Sequence, residues 1–316
     1  MSTRFLVTGG AGFIGSNIVE QLVKDGKKVR VLDNLSTGKM DNLRSFMDKI
    51  ELIQADIRYY NSVLEAMQGV DFVLHQAALP SVPRSVQIPI ESNDTNTNGT
   101  LNVLYAAMKA GVKRVVYAAS SSAYGESAVL PKVETMTPSP LSPYAVNKLT
   151  GEYYCAVFNR VYGLETVVLR YFNVFGPRQD PQSYYSAVIP KFIKALLEGK
   201  SPTIFGDGEQ SRDFCYIENV VRANLLACSA PKPAVGEVFN IACGDRITLN
   251  ELCKYLQTIL GVSISAQYAA PRSGDIKHSL ADIRKAEKLL KYEVLVPLRE
   301  GLERTAEWFK SYFQQS

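Results

Sequence analysis

The sequence predicts an α/β protein: a doubly wound parallel sheet followed by a smaller mixed α/β C-terminal domain. Three observations carry this reading. Short β-branched runs alternate with amphipathic helical stretches through the first half of the 316 residues, a glycine-rich turn joins the first run to the first helix, and the alternation breaks after about Tyr171. Strands alternating with helices imply right-handed crossovers and a parallel sheet covered on both faces.

Phe5-Leu6-Val7 is the first predicted strand. Phe13 to Asp25 follows as a helix, with Ile14, Ile18, Leu22 and Val23 near 3.6-residue spacing. Val29–Leu32, Glu51–Ile53, Phe72–Leu74, Val115–Tyr117 and Thr166–Leu169 are the next strands, each separated by a helix or a long loop. Two long helices are predicted, roughly Glu91 to Ala110 and Tyr144 to Tyr162. On the second, Tyr153, Tyr154, Phe158 and Tyr162 read as a packed stripe. Asn173 to Gln179 reads as a loop by composition, and an amphipathic helix is expected near Pro297 to Phe313. The domains are placed at 1–172 and 173–316, with part of 213–242 packing back onto the first.

Composition narrows the function classes. Hydrophobic residues make up 46% and charged residues 21%, with a net charge of +4, ordinary for a soluble globular chain. Lysines and arginines are dispersed, so the charge admits an anionic ligand without arguing for nucleic acid. No apolar run approaches the roughly 20 residues of a membrane-spanning helix, and Met1-Ser2-Thr3-Arg4 runs directly into the first strand without a leader-like segment. Five scattered cysteines without a CxxC read as reduced thiols of a cytoplasmic protein. His75 and His278, far apart in sequence, argue against a metal centre.

Thr8-Gly9-Gly10-Ala11-Gly12-Phe13-Ile14-Gly15 sits between the first strand and the first helix. That is the dinucleotide fingerprint of a Rossmann sheet: bare backbone approaches a pyrophosphate on the helix N-terminus. Asp33 closes the second strand, 18 residues after Gly15, where a carboxylate accepts from the adenine ribose hydroxyls and repels a 2′-phosphate. NAD is therefore expected over NADP. Asp56 ends the third strand and reads either as a contact to the adenine amine or as a helix cap. Gln76, Ala77 and Ala78 end the fourth strand, where small side chains let a cofactor cross the sheet edge. Phe13, Ile14, Asn34, Ser36, Thr37, Gly38 and Ile57 complete the expected cofactor wall.

Tyr144 and Lys148 lie four residues apart, just inside a helix start at Ser142-Pro143. Positions i and i+4 share a helix face, and a cation beside a phenol lowers its pKa, which suits a general base near neutral pH. Ser120, Ser121 and Ser122 end the fifth strand. Ser120 is the first choice for hydrogen bonding to a reacting oxygen, with Ser121 and Ser122 close competitors, because a one-residue slip changes which hydroxyl points inward.

TGGAGFIG, Asp33, Ala119-Ser120-Ser121-Ser122 and Tyr144xxxLys148 together resemble the extended short-chain dehydrogenase/reductase family over essentially the whole chain. Leu169–Gly176 and Ser211–Ile217 resemble nucleotide-sugar 4-epimerases, and Arg272–Ser279 is most similar to the subgroup acting on UDP-N-acetylhexosamines. The resemblance implies an enzyme of nucleotide-sugar metabolism and polysaccharide biosynthesis. It would interconvert UDP-N-acetylglucosamine and UDP-N-acetylgalactosamine through a 4-keto sugar, with UDP-glucose, a uronate or a net oxidoreduction as alternatives. Tyr144 would be the base and Lys148 would hold the nicotinamide ribose. Related dehydratases carry an Asp-Glu pair where this chain has Ser121 and Ser122, which disfavours elimination. By the same resemblance Arg212 and Arg272 meet the diphosphate, Asn173 the diphosphate or sugar, and Asp275 the uridine ribose. Lys191 is a weaker contact, Arg84 lines the sugar pocket, and Ser279 leaves room for an N-acetyl group. A homodimer through the two long helices is also implied. A non-catalytic dinucleotide-binding module is the reading from a different class.

Overall fold

A computed structural model describes residues 3–180, 187–271 and 276–315. The first strand, β1 (Arg4–Thr8), leads through the glycine turn into α1 (Phe13–Lys24), and β2 (Lys28–Asp33) and β3 (Ile50–Gln54) extend the sheet on one side. After α2 (Tyr60–Ala66) the chain returns to the other side of β1 with β4 (Phe72–His75). Then come α3 (Val82–Gln87), α4 (Pro89–Asn93), α5 (Gly99–Lys109), β5 (Arg114–Ser120), α6 (Pro143–Tyr162) and β6 (Glu165–Tyr171). The chain goes on through β7 (Asn173–Phe175), α7 (Val188–Leu197), β8 (Thr203–Phe205), β9 (Ser211–Arg212), β10 (Phe214–Tyr216) and α8 (Ile217–Cys228). It closes with β11 (Val238–Ile241), β12 (Ile247–Thr248), α9 (Leu249–Leu260), β13 (Gln267–Ala269), α10 (Arg284–Leu290) and α11 (Leu298–Gln315).

The main sheet has seven strands in the order β11-β6-β5-β4-β1-β2-β3, and every pairing in it is parallel. The strand order reverses between β1 and β4, which opens a crevice beyond their C-terminal ends. Side chains alternate across the sheet as period-2 geometry requires. Phe5 and Val7 pack on one face with α1 and α8, and Leu6 packs on the other with α5 and α6. The first cluster runs on through Phe175, Phe192, Phe214 and Phe309, so helices α7 and α11 share apolar packing with the sheet.

Three expectations differ. The helix expected over 91–110 is present as continuous helical backbone from 89 to 109, but it carries a five-residue π-helical stretch, Asp94–Asn98, between α4 and α5. Asn173–Phe175 is a strand, because residues 214–216 lie alongside and supply its ladder bonds. Composition pointed to a loop there, since that partner is about 40 residues away in sequence. On α6, Phe158 is buried and Tyr154 half-buried, but Tyr153 and Tyr162 are exposed, so those four aromatics form no single packed stripe.

Helix α6 carries the chemistry, and its boundaries are set locally. Ser142 accepts from the Ala145 N–H, Pro143 occupies the first turn, and Gly163 ends the helix at φ 70°. Its inner face contains a buried ion pair: Arg170 Nε and Nη2 donate to Glu152 at 2.9 and 2.6 Å. Burial raises the Glu152 carboxyl pKa while Arg170 opposes that rise. Removing one partner strands a buried charge. Glu152→Ala is therefore expected to lower stability by about 3–5 kcal/mol, read as a drop in the urea midpoint. An unchanged midpoint would show that α6 is held without this pair.

Candidate active site

The glycine turn is shaped by close approach. Gly9 has φ 68°, and a Cβ there would meet the Ala77 backbone at 2.7 Å. A Cβ on Gly15 would fall 2.1 Å from the Gly9 carbonyl. The turn thus sits against the end of β4, and side chains are excluded where a pyrophosphate would lie. A cavity of about 770 Å³ opens above it. All the residues expected in the cofactor wall line it: Gly9, Gly12 and Gly15 with Phe13 and Ile14, Asp33 with Asn34, Ser36, Thr37 and Gly38, and Asp56, Ile57, Gln76, Ala77 and Ala78. Tyr144 and Lys148 line its inner end.

Asp33 accepts from the Ala11 N–H at 2.9 Å and the Leu35 N–H at 2.8 Å. Burial is the larger influence and raises its pKa, while the two backbone bonds oppose that. Each oxygen keeps a lone pair for a ribose hydroxyl. Asp56 accepts from Asn34 Nδ2 at 2.7 Å and from the Arg58 guanidinium, so it braces the far wall and still borders the cavity. Asp56 and Gln76 each lie just beyond their strands, which end at Gln54 and His75.

Beneath β4 lies a buried polar relay. Thr100 Oγ1 donates to the Asn96 carbonyl at 2.7 Å, so it can only accept from His75 Nε2 at 3.0 Å. Hydrogen-bond accounting then makes Nδ1 the acceptor from Thr8 Oγ1 at 2.7 Å, and Thr8 in turn accepts from the Ala77 N–H. Burial first, and Lys148 second, push His75 down to about 3. It therefore stays neutral and fixes the backbone under the cofactor cavity.

A second cavity, of about 830 Å³, lies on the other side of Tyr144. Ser120, Ser121 and Ser122 line it with Tyr144, Asn173, Lys191, Arg212 and Ser279. Among the described residues lining it there is no carboxylate. Arg84 lines the first cavity and not the second, 3.9 Å from Glu91. Arg272 and Asp275 lie outside the described residues. Sequence reading missed Arg58, Arg178 and Asp180 on the first cavity, and Phe192, Phe205 and Phe214 on the second. Arg58 had a signal in its spacing from Asp56; the aromatics had none that distinguished them from core.

Tyr144 thus stands where the two cavities meet. Ser120 Oγ accepts from the Ser122 N–H at 3.2 Å and from Ser122 Oγ at 2.9 Å, which leaves its own proton for the Tyr144 hydroxyl. That hydrogen bond lowers the phenol pKa, but burial is larger and the net shift is upward. The expected depression by Lys148 is not among these influences. The Lys148 ammonium donates to the Ala118 carbonyl at 2.8 Å and sits 5.1 Å over the Tyr117 ring. Burial brings Lys148 down to about 8.

The sequence profile of the NAD dependent epimerase/dehydratase family matches residues 5–242. The chain belongs to this family. A protein of Methanocaldococcus jannaschii named putative UDP-glucose 4-epimerase is 41% identical over 97% of this chain and 98% of its own. The UDP-N-acetylglucosamine 4-epimerase of Methanobrevibacter ruminantium, solved with UDP-N-acetylmuramic acid, superposes with TM-score 0.94 at 42% identity, covering 98% of this chain and 99% of its own. The UDP-glucuronic acid 4-epimerase of Bacillus cereus, solved with UDP-glucuronic acid and NAD, superposes with TM-score 0.91 at 34% identity, covering 98% and 100%. The family member described here is an enzyme of the NAD-dependent UDP-sugar 4-epimerase group, and its cofactor is NAD. The glycine cradle and Asp33 fit that dinucleotide. Gly15→Ala is expected to weaken NAD binding at least about tenfold in a titration followed by calorimetry. Retention of the unsubstituted affinity would remove the glycine turn from the cofactor site.

Proposed function

We propose that the protein interconverts UDP-N-acetylglucosamine and UDP-N-acetylgalactosamine by oxidation and reduction at C4 of the sugar, through a 4-keto sugar. The carrying observation is Tyr144, which lines both cavities and has Ser120 among the groups acting on its phenol. NAD supplies the hydride acceptor and donor when bound. As the phenolate, Tyr144 would take the proton of the 4-hydroxyl and return it, the positive charge of bound NAD offsetting the upward push of burial on the phenol; Ser120 steadies the phenolic oxygen, and Lys148 holds the cofactor-facing floor through Ala118. Arg212 and Lys191 bring positive charge to the second cavity, which suits a diphosphate. Asn173 and Ser279 line the same cavity, and a small side chain at Ser279 suits the room that a 2-acetamido group requires. The absence of a carboxylate among the described lining residues supports epimerisation over elimination, which needs an acid/base pair at the neighbouring carbon.

Tyr144→Phe is expected to lose at least about 10²-fold in epimerisation rate, the low end for a positioned acid–base group, with NAD affinity kept. A wild-type rate in that variant would contradict the mechanism. Side-by-side turnover of UDP-N-acetylglucosamine, UDP-glucose and their uronates should favour the acetamido sugar. Preference for a uronate would reassign the substrate while leaving the C4 chemistry intact.

The same reading places the enzyme in the cytoplasm as a homodimer. The five cysteines are unpaired, as a reducing compartment keeps them. Val146, Tyr153, Val157 and Val161 expose one apolar stripe along α6, with Tyr105 of α5 also exposed, a pattern that marks an association surface. Val157→Glu is expected to convert a dimer to a monomer in light scattering. A monomeric unsubstituted protein would overturn the dimer.

A further inference from the structure

Between β9 and β10 sits Asp213, a carboxylate with no exposure to solvent. Its oxygens accept three backbone N–H groups from two separate segments: Cys243 at 2.9 Å, Gly244 at 3.1 Å and Ala281 at 3.2 Å. No cation is among its partners in the described residues. Its own carbonyl accepts from the Asn173 N–H at 3.2 Å and from Asn173 Nδ2 at 3.1 Å. Next to it, Ser211 pairs with the segment that Ala281 closes: the Ser211 N–H donates to Lys277 and the Ser279 N–H donates to Ser211, both at 3.0 Å. Arg212 Nη1 donates to the Ser211 and Lys277 carbonyls at 3.0 and 3.1 Å. Three cavity-lining residues from different stretches of chain, Asn173, Arg212 and Ser279, thus meet around one buried acid.

We propose that Asp213 is a positioning residue for the sugar-nucleotide cavity: its ionised carboxylate gathers the N–H groups of Cys243, Gly244 and Ala281 and so holds Arg212, Asn173 and Ser279 at the spacing the ligand needs. This rests on the reading of the second cavity as the UDP-sugar site. A buried carboxylate is retained where its charge is met by several N–H donors. Cys243 donates to one oxygen, and Gly244 and Ala281 donate to the other; protonation removes the charge that strengthens all three bonds and sets a hydrogen beside the N–H groups of whichever oxygen takes it, which loosens the hold on the two segments.

The balance is fine enough to be read in solution. Burial, the largest influence, pushes Asp213 up to about 7; the three N–H bonds oppose it and Asp245 adds to it. Of the other groups facing it, Cys215 is pushed up by its contact with Cys243 and by burial. Tyr292 is pushed up by burial. His278 Nδ1 lies 2.9 Å from Ser211 Oγ; burial first, then Arg246, Lys277 and Arg212, push its pKa down, and Asp207 opposes them. Ionised Asp213 orders the cavity above its pKa, and that order is lost as the pH falls through about 7.

The test is calorimetric binding of UDP-N-acetylglucosamine, whose diphosphate diester keeps both of its negative charges between pH 6 and pH 8, to the NAD-loaded protein. The dissociation constant is expected to rise about tenfold on going from pH 8 to pH 6. His278→Gln should keep that dependence. Asp213→Asn should bind about tenfold more weakly at pH 8, show no pH dependence and retain NAD affinity, since Asp213 does not line the cofactor cavity. A pH-independent constant in the unsubstituted protein, or wild-type binding by Asp213→Asn, would overturn the role of Asp213. So would an inflection that vanishes in His278→Gln. If Asp213→Asn does not fold, the unsubstituted protein and His278→Gln decide the question alone. Absence of UDP-N-acetylglucosamine binding at every pH would instead overturn the reading of the cavity, and this proposal with it.

Discussion

Everything at the site depends on how the polar inner face of α6 is satisfied once it is buried against β5 and β6. A lysine ammonium and a glutamate carboxylate on that face cannot be left without partners in the interior. Lys148 finds the Ala118 carbonyl and Glu152 finds Arg170. Gly151, between them, admits the Tyr117 ring, whose hydroxyl a Cβ would approach to 2.3 Å. These contacts leave α6 one rotation and one height relative to the sheet. The Tyr144 hydroxyl, one turn before Lys148, is thereby delivered to the wall between the two cavities.

The two cavities are built on different logic. The first is mostly backbone and small side chains at the strand-order reversal, with Asp33 at one end, which suits a long dinucleotide lying across the sheet edge. The second is assembled from short strands and loops of the later chain, with Arg212 and Lys191 among its polar groups and aromatics elsewhere. Its walls have little regular ladder to hold them, since β7, β9 and β12 are two or three residues long. Side-chain and carbonyl contacts at Asp213 substitute for that ladder. A neutral His75 does the corresponding work under the first cavity.

Much of this was legible before any coordinates. Strand positions in the first half follow from periodicity, and six of the seven strands of the parallel sheet agree with them apart from small shifts at the ends; the seventh, β11, comes from the later chain and was not read as a strand. The cofactor wall was legible because its residues cluster at the ends of successive strands, where sequence order and spatial order coincide. The rest was hidden for identifiable reasons. Asn173–Phe175 became a strand through a remote partner, and Arg84 lines the first cavity and not the second. Spacing placed Lys148 beside Tyr144, but its ammonium was drawn to the nearest carbonyl, and burial raised the phenol rather than lowering it.

The sequence alone determined the doubly wound parallel sheet, the glycine cradle, the carboxylate closing β2 and the tyrosine–lysine turn, because each is encoded by residues within a few positions of one another. Only the tertiary structure decided that Tyr144 stands on both cavities with all three serines on the second, and that Asn173, Arg212 and Ser279 share that cavity. Those arrangements join segments tens of residues apart. Their hydrogen bonds exist only once the apolar core has brought the segments together and removed the water that would otherwise compete.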